Sequence, residues 1–461
     1  MKTLISFLIA TFIVSYAFSQ SIGGAWYGML NVSNMQLLLV LNVDDSGGEL
    51  KATMDSPDQG AFGIPITIIT FKNNQLNFVC DAAHLSYTGT FTNDHFEGTF
   101  KQGQSIPMAL TREKPARKPV ARPQEPKAPF PYAVEEVTFR NEKAGITLAG
   151  TLTIPATKGK HPAVVLISGS GPQNRDEELM GHKPFWVLAD YLTREGIAVL
   201  RFDDRGVGKS EGDQGSATSV DFSTDAESAF HYLKTRSEID SKSIGLMGHS
   251  EGGLIAPMVA ARNHELGFIV MLAGPGMTGK ELLPEQAALI SKASGVSDEN
   301  IRITRETNGA IFALIDTITP TDELDKKLKD HIDKMVAENK MPRDLSSREM
   351  IDIQMKQLLS PWMRYFLNYD PRPALRKVTC PVLALNGEKD LQVPPVENLR
   401  EIEKALKEGG NSNYTIKQLN GLNHLFQECK TGSPEEYSAI EQTFSPVAMK
   451  LISTWITKQA K

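Results

Sequence analysis

Ile244-Gly245-Leu246-Met247-Gly248-His249-Ser250-Glu251-Gly252-Gly253-Leu254-Ile255 decides how the chain folds. Ile244 to Met247 is a short apolar run of the kind that forms a buried strand, and Leu254, Ile255, Met258 and Val259 repeat at helical spacing. A strand must therefore turn into a helix within a few residues, with Ser250 at the turn. The glycines around it let neighbouring backbone come close. Pro257 removes a backbone donor inside the helix and is expected to bend it without disturbing the turn.

Outward from this turn, strands alternate with helical segments, which predicts a mainly parallel sheet covered on both faces. The strands are Ala163 to Ile167, Ala198 to Phe202, Ser243 to Met247, Phe268 to Leu272, Pro381 to Leu385 and Tyr414 to Gln418. An antiparallel pair, Val134 to Phe139 and Thr147 to Ile154, precedes them. From about residue 276 to 370 the alternation stops and charged amphipathic helices intervene, as in a helical cap inserted after a central strand. Ile311, Phe312, Leu314 and Ile315 are expected to form the cap's core.

Residues 20–111 read differently, as short strands separated by turns such as Asp45-Ser46-Gly47-Gly48, Lys72-Asn73-Asn74 and Asn93-Asp94. Leu37 to Val43, Leu50 to Met54, Ile64 to Phe71, Leu76 to Val79, Ser86 to Phe91 and His95 to Phe100 point to a small all-β domain, an eight-stranded barrel or sandwich. His84 and His95 are lone histidines with surface or packing roles. Residues 112–131 interleave prolines at 115, 119, 123, 126, 129 and 131 with basic residues at 112, 114, 117, 118, 122 and 127, which predicts an extended, solvated linker. The second domain then runs over 132–461.

The chain has 461 residues, 41% hydrophobic and 23% charged, an ordinary globular composition. A net charge of -6 lacks the positive field that nucleic acid requires. Lys2, the apolar run Leu4 to Val14 and Ala17-Phe18-Ser19 predict a signal peptide over 1–19 with Gln20 as mature N-terminus, and hence a secreted or periplasmic protein. No later stretch reaches the ~18 apolar residues of a membrane span. Cys80, Cys380 and Cys429 are too few for a disulfide framework.

The pattern G-x-S-x-G occurs twice, at Gly248 to Gly252 and at Gly208-Lys209-Ser210-Glu211-Gly212. Only Ser250 has a strand before it and a helix after it, the context that exposes a nucleophile on a strained turn. Ser210 is followed by a polar loop. Gly208-Lys209-Ser210 also mimics a phosphate loop, but Asp203 stands where that motif needs glycine. Asp203 to Gly208 reads as a structural turn.

A serine nucleophile needs a base, ordered after an acid along the chain. His331 lies in the charged cap, where an exposed surface role is expected, whereas His424 stands in a glycine-bearing loop after the last strand. The acid should follow the preceding strand, which makes Asp390 the choice and Glu388 the alternative. Oxyanion donors are the backbone N–H of Glu251, at the helix start, and of Ser170 in Ser168-Gly169-Ser170-Gly171-Pro172, with Gly171 as its alternative.

Taken with Gln173-Asn174-Arg175-Asp176 and the Asp203 to Ser210 loop, these motifs resemble the α/β-hydrolase superfamily, and within it bacterial secreted carboxylesterases carrying an N-terminal β domain. The resemblance covers Tyr132 to the C-terminus. It implies a two-step acyl transfer on a small-molecule ester: attack by Ser250, proton transfers by His424, and release of the acid by water. A serine peptidase on the same fold is the alternative, for which Asp176, Glu177, Glu178 and Glu251 offer acids for a substrate ammonium. No metal or cofactor is expected, since no H-E-x-x-H or spaced Cys/His cluster occurs.

Overall fold

The structure is a computed structural model, described for residues 21–460 apart from 33–34, 48, 58–60, 82–84, 103, 116–119, 318–320, 339–354 and 356–357. The signal segment and His84 lie outside the described residues. The chain divides into two compact units, with the main boundary between Pro115 and Ala116.

The first unit is one antiparallel sheet of β1 (Gly24–Val32), β2 (Met35–Asp44), β3 (Lys51–Ser56), β4 (Ala61–Pro65), β5 (Ile68–Lys72), β6 (Gln75–Cys80), β7 (Leu85–Thr92), β8 (His95–Gln102) and β9 (Gln104–Thr111). Their order is β4-β3-β2-β1-β9-β8-β7-β6-β5, so the sheet has nine strands where eight were expected. Ile64 to Phe71 is two strands, because the chain leaves the ladder at Ile66 and Thr67. The turns Asn73-Asn74 and Asn93-Asp94 have positive φ at both residues, the geometry that matches strand twist in a two-residue hairpin. Trp26, Phe71, Phe91 and Phe96 pack edge to face on the sheet's buried side. His95 bonds only to its own hairpin, through Asn93 O and Glu97 Oε1.

The second unit holds β10 (Tyr132–Asn141), β11 (Ile146–Pro155), β12 (His161–Ile167), β13 (Ala198–Phe202), β14 (Ile239–His249), β15 (Phe268–Leu272), β16 (Val382–Gly387) and β17 (Tyr414–Leu419). In the order β10-β11-β13-β12-β14-β15-β16-β17, the pairs after β11–β13 are all parallel. Side chains alternate between two cores. Ala163, Val165 and Ile167 pack with the helices Ser219–Lys234, Glu251–Ala260 and Pro395–Glu408, while Val164 and Leu166 pack with Pro184–Arg194 and Pro446–Gln459. Covering both faces explains why central strands such as Phe268–Leu272 are continuous apolar runs.

Between β15 and β16 lie the cap helices Gly279–Ala293, Asp298–Thr317, Thr321–Ala337 and Pro361–Asn368. Ile311, Phe312 and Ile315 are buried there with Leu314 against them, as the periodicity predicts. His331, expected to be exposed on the cap, is half-buried. No helix among the described residues is long and apolar enough to cross a membrane.

The Pro-rich segment departs from a solvated spacer at Arg122 and Gln124. The Arg122 guanidinium donates to the carbonyls of Met180, Gly181, Ser438 and Ile440, and Gln124 Oε1 accepts from the N–H groups of Thr443 and Phe444. These loops enclose His182, whose Nε2 meets Tyr437 O (2.8 Å) and Gln427 Nε2 (3.0 Å) and whose Nδ1 meets Thr443 Oγ1 (2.9 Å). Burial pushes the His182 pKa down to about 4, against about 6.5 in the unfolded chain. The unfolded chain therefore takes up the proton first. Stability is whole above pH 6.5 and is lost as the pH falls toward 4, by up to about 3 kcal/mol. His182→Gln should flatten the fall in melting temperature across that window, and an unchanged acid limb would assign it elsewhere.

Candidate functional site

Four loops leave the C-terminal ends of β12, β14, β16 and β17, the edge of an open α/β sheet where sites are built. After β14, Ser250 takes φ 53 and ψ -116, a conformation L-residues avoid, and Glu251 starts a helix. Such a backbone costs of order 1–3 kcal/mol and persists only where its surroundings enforce it. Here Ser250 N–H bonds Leu272 O at 2.8 Å. A Cβ at Gly248 would collide with the Gly252 carbonyl, and one at Gly252 with the Ile167 carbonyl. Both flanking glycines are thus sterically required.

After β17, His424 is almost fully buried, and its Nδ1–H donates to Asp390 Oδ2 at 2.8 Å. Asp390 Oδ1 accepts from the N–H groups of Gln392 and Val393, each at 2.8 Å. Three donors thus converge on one buried carboxylate. Glu388 instead accepts from Gly421 N–H at 2.8 Å and braces the two loops. Of the two carboxylates, Asp390 is the one joined to His424.

After β12, the glycine-rich loop lies against the turn: a Cβ on Gly169 would stand 3.3 Å from Ser250 Cβ. Ser168 Oγ donates to Asp204 Oδ1 (2.6 Å) and Gln173 N–H to Asp204 Oδ2 (3.0 Å). Burial pushes the Asp204 pKa up to about 8. Gly169 N–H is committed to Glu177 Oε1 at 2.7 Å. The N–H groups of Ser170 and Gly171 bond no described residue, nor does that of Glu251, which as the first residue of its helix has no acceptor within it.

Ser250 and His424 are not hydrogen-bonded to each other here, and His424 Nε2 bonds no described residue. Such bonds are commonly long before substrate binds. What ties the two loops is His249, whose Nε2 meets the His424 carbonyl at 3.0 Å and whose ring centroid lies 4.8 Å from that of His424. The other nitrogen, Nδ1, meets Glu177 Oε1 at 2.9 Å. Sequence reasoning gave His249 no role. Its only signal was its place inside the motif.

The other residues singled out have structural partners. Ser210 Oγ donates to Asp203 O (2.7 Å) and accepts from Ala149 N–H (3.0 Å). Asp203 pairs with Arg175 and Arg205 with Asp225, which makes this loop the charge-held turn expected. Asp176 pairs with Arg201. Glu251 Oε1 accepts from Ser219 Oγ (2.6 Å) and from Trp362 Nε1 on the cap (2.8 Å), and burial pushes its pKa up.

A serine on a strained strand-to-helix turn, a carboxylate-backed histidine and a glycine loop at the strand ends of this sheet define an α/β-hydrolase. The chain belongs to the serine aminopeptidase S33 family, whose model matches residues 184–428, a span that includes Ser250, Asp390 and His424. It is similar to esterase EstD of Thermotoga maritima, 28% identical over 298 residues. That match takes in 64% of this chain and 62% of EstD, so the chain spans less than two thirds of that relative. The uncharacterised protein YfhR of Escherichia coli is 31% identical over 127 residues, 27% of this chain and 41% of that one. Among solved structures, the Pyrococcus furiosus esterase Pf2001 gives a TM-score of 0.43 at 16% identity, covering 75% of this chain and 100% of that one. Est1E from Butyrivibrio proteoclasticus with ferulic acid bound gives 0.41 at 16%, covering 70% and 100%.

Proposed function

We propose that the chain hydrolyses carboxylic esters of small molecules through an acyl-enzyme on Ser250. The observation that carries this reading is the strained Ser250 turn set beside a buried Asp390–His424 pair. Ser250 Oγ attacks the ester carbonyl while His424 Nε2 takes its proton. The oxyanion is met by the N–H of Glu251 and that of Ser170, with Gly171 as the alternative. One such donor is worth about 10²–10³ in rate. His424 then gives the proton to the leaving alcohol and activates the water that frees the acid.

Ester is favoured over peptide because three of the four carboxylates that would hold a substrate ammonium are engaged, the fourth, Glu178, being exposed with Asn174 Nδ2 at 3.4 Å. Asp176 is held by Arg201, Glu177 by His249, and Glu251 is buried with its pKa raised. The esterase name of EstD supports the same choice. The test compares p-nitrophenyl acetate and butyrate with aminoacyl p-nitroanilides, alongside a fluorophosphonate probe. We expect faster ester turnover and label on Ser250. Faster anilide turnover would make the protein a peptidase, and an unlabelled folded protein would leave Ser250 without this role. We also propose export with cleavage after Ser19, read as a mature N-terminus at Gln20 by mass spectrometry.

A further inference from the structure

We propose that Glu177 and His249 form a charged positioning pair that holds the Gly169 loop and the His424 loop in register around Ser250. The inference rests on the catalytic reading of Ser250 and His424. It assigns the pair no contact with substrate.

The argument begins with what faces the His249 ring. Nε2 lies 3.0 Å from the His424 carbonyl, which can only accept, so Nε2 carries a proton. Nδ1 lies 2.9 Å from Glu177 Oε1, and that same oxygen accepts Gly169 N–H at 2.7 Å. An oxygen accepting from an amide and facing a ring nitrogen is best satisfied as a carboxylate opposite N–H, which gives His249 both ring protons. Burial alone would push the imidazole toward neutrality, but the Glu177 carboxylate, the His424 carbonyl and Asp390 together outweigh it, and the pKa is raised.

Three loops thus meet at one ring. His249 precedes Ser250 in the chain, Glu177 grips the loop that supplies an oxyanion donor, and the His424 carbonyl fixes the loop of the base. The backbone at Glu177 has φ 51, and the residue is only 5% exposed. A buried, β-unbranched glutamate in the left-handed region is uncommon, and such strain persists where surrounding contacts enforce it. Here the contacts are those of the carboxylate together with the Glu177 N–H, which donates to Asn174 O at 2.9 Å. Misplacement of catalytic groups by about 1 Å can cost 10²-fold, so the pair acts on rate through geometry.

The test uses the full chain. Glu177→Gln keeps the shape and an acceptor oxygen but removes the charge, and His249→Gln removes the ring. For p-nitrophenyl butyrate, both should lower kcat by about 10–100-fold with KM within twofold, a split that loss of a ground-state substrate contact would not give. Nitrogen-15 NMR of histidine-labelled protein at pH 7, with His249→Gln to assign the signal, should show His249 with both ring nitrogens protonated in the wild type and neutral in Glu177→Gln. A neutral His249 in the wild type overturns the proposal even if a variant fails to fold, as does unchanged kcat in folded variants. If the wild type itself turns over no ester and takes no fluorophosphonate, the catalytic reading has failed instead, and the NMR result still reports the charge on the pair.

Discussion

Ser250→Ala is expected to remove ester hydrolysis by a factor of about 10⁵–10⁶ in kcat, the scale seen when a serine nucleophile is lost. Ser210→Ala is expected to leave kcat within about twofold. The two serines sit in the same five-residue pattern, so the comparison isolates what the fold adds. Ser250 is at φ 53 with no side-chain cap on its helix, and the strain there is enforced by Leu272 O and by glycines that tolerate no Cβ. Alanine keeps the Cβ, so the turn should survive with little change in melting temperature and the loss is then chemical. Ser210 behaves in the opposite way. Its hydroxyl spans Asp203 O and Ala149 N–H, and truncation strands a buried amide at a cost of about 1–3 kcal/mol, visible in urea denaturation and not in turnover. A stable but inactive Ser210→Ala beside an active Ser250→Ala would reverse the assignment.

The parts of the fold legible in the sequence are those where one physical signal dominates. Strands buried on both faces, such as Phe268–Leu272 and, with Arg201 its one polar residue, Ala198–Phe202, are short apolar runs, and their limits match the reading. The N-terminal sheet resisted for the opposite reason. Gly24–Val32 carries glycines that blur its alternation, and Gln104–Thr111 contains Pro107, which argues against a strand, yet it lies between β1 and β8. The break within Ile64 to Phe71 falls on Ile66 and Thr67, β-branched residues that favour strand.

Within the site, chain order and strand ends pointed to Ser250, Asp390 and His424, because a nucleophile, its base and an acid must sit at loops that the sheet brings to one edge. Glu177 and His249 carried no such signal. Glu177 lies 72 residues from His249, and although a local turn on Asn174 shapes its backbone, no local pattern announces that its carboxylate meets that ring. The same holds for Trp362, reaching Glu251 from the cap across 111 residues. Arg122 was read with its basic neighbours as solvated, since a count of charges does not reveal the four carbonyls that receive one of them.

Asp390→Asn is the second change expected to have a very large effect, about 10⁴ in kcat with KM little altered, and the structure gives the reason through proton bookkeeping. Asp390 Oδ1 receives two backbone N–H groups, from Gln392 and Val393. In the variant only the amide oxygen can occupy that position, since an NH₂ there would oppose two donors. The amide nitrogen must then stand where Oδ2 was, 2.8 Å from His424 Nδ1. It donates, so Nδ1 has to accept and the ring proton moves to Nε2. A histidine protonated at Nε2 cannot take the proton of Ser250, and no carboxylate remains to stabilise the imidazolium; this wrong-tautomer effect is worth about 10⁴ in serine hydrolases. Glu388→Gln is the control, since Glu388 only receives Gly421 N–H and an amide oxygen can do the same, so kcat should stay within about threefold. Steady-state kinetics on p-nitrophenyl butyrate decide between the two carboxylates. A collapse of activity in Glu388→Gln with Asp390→Asn nearly intact would move the acid's role to Glu388.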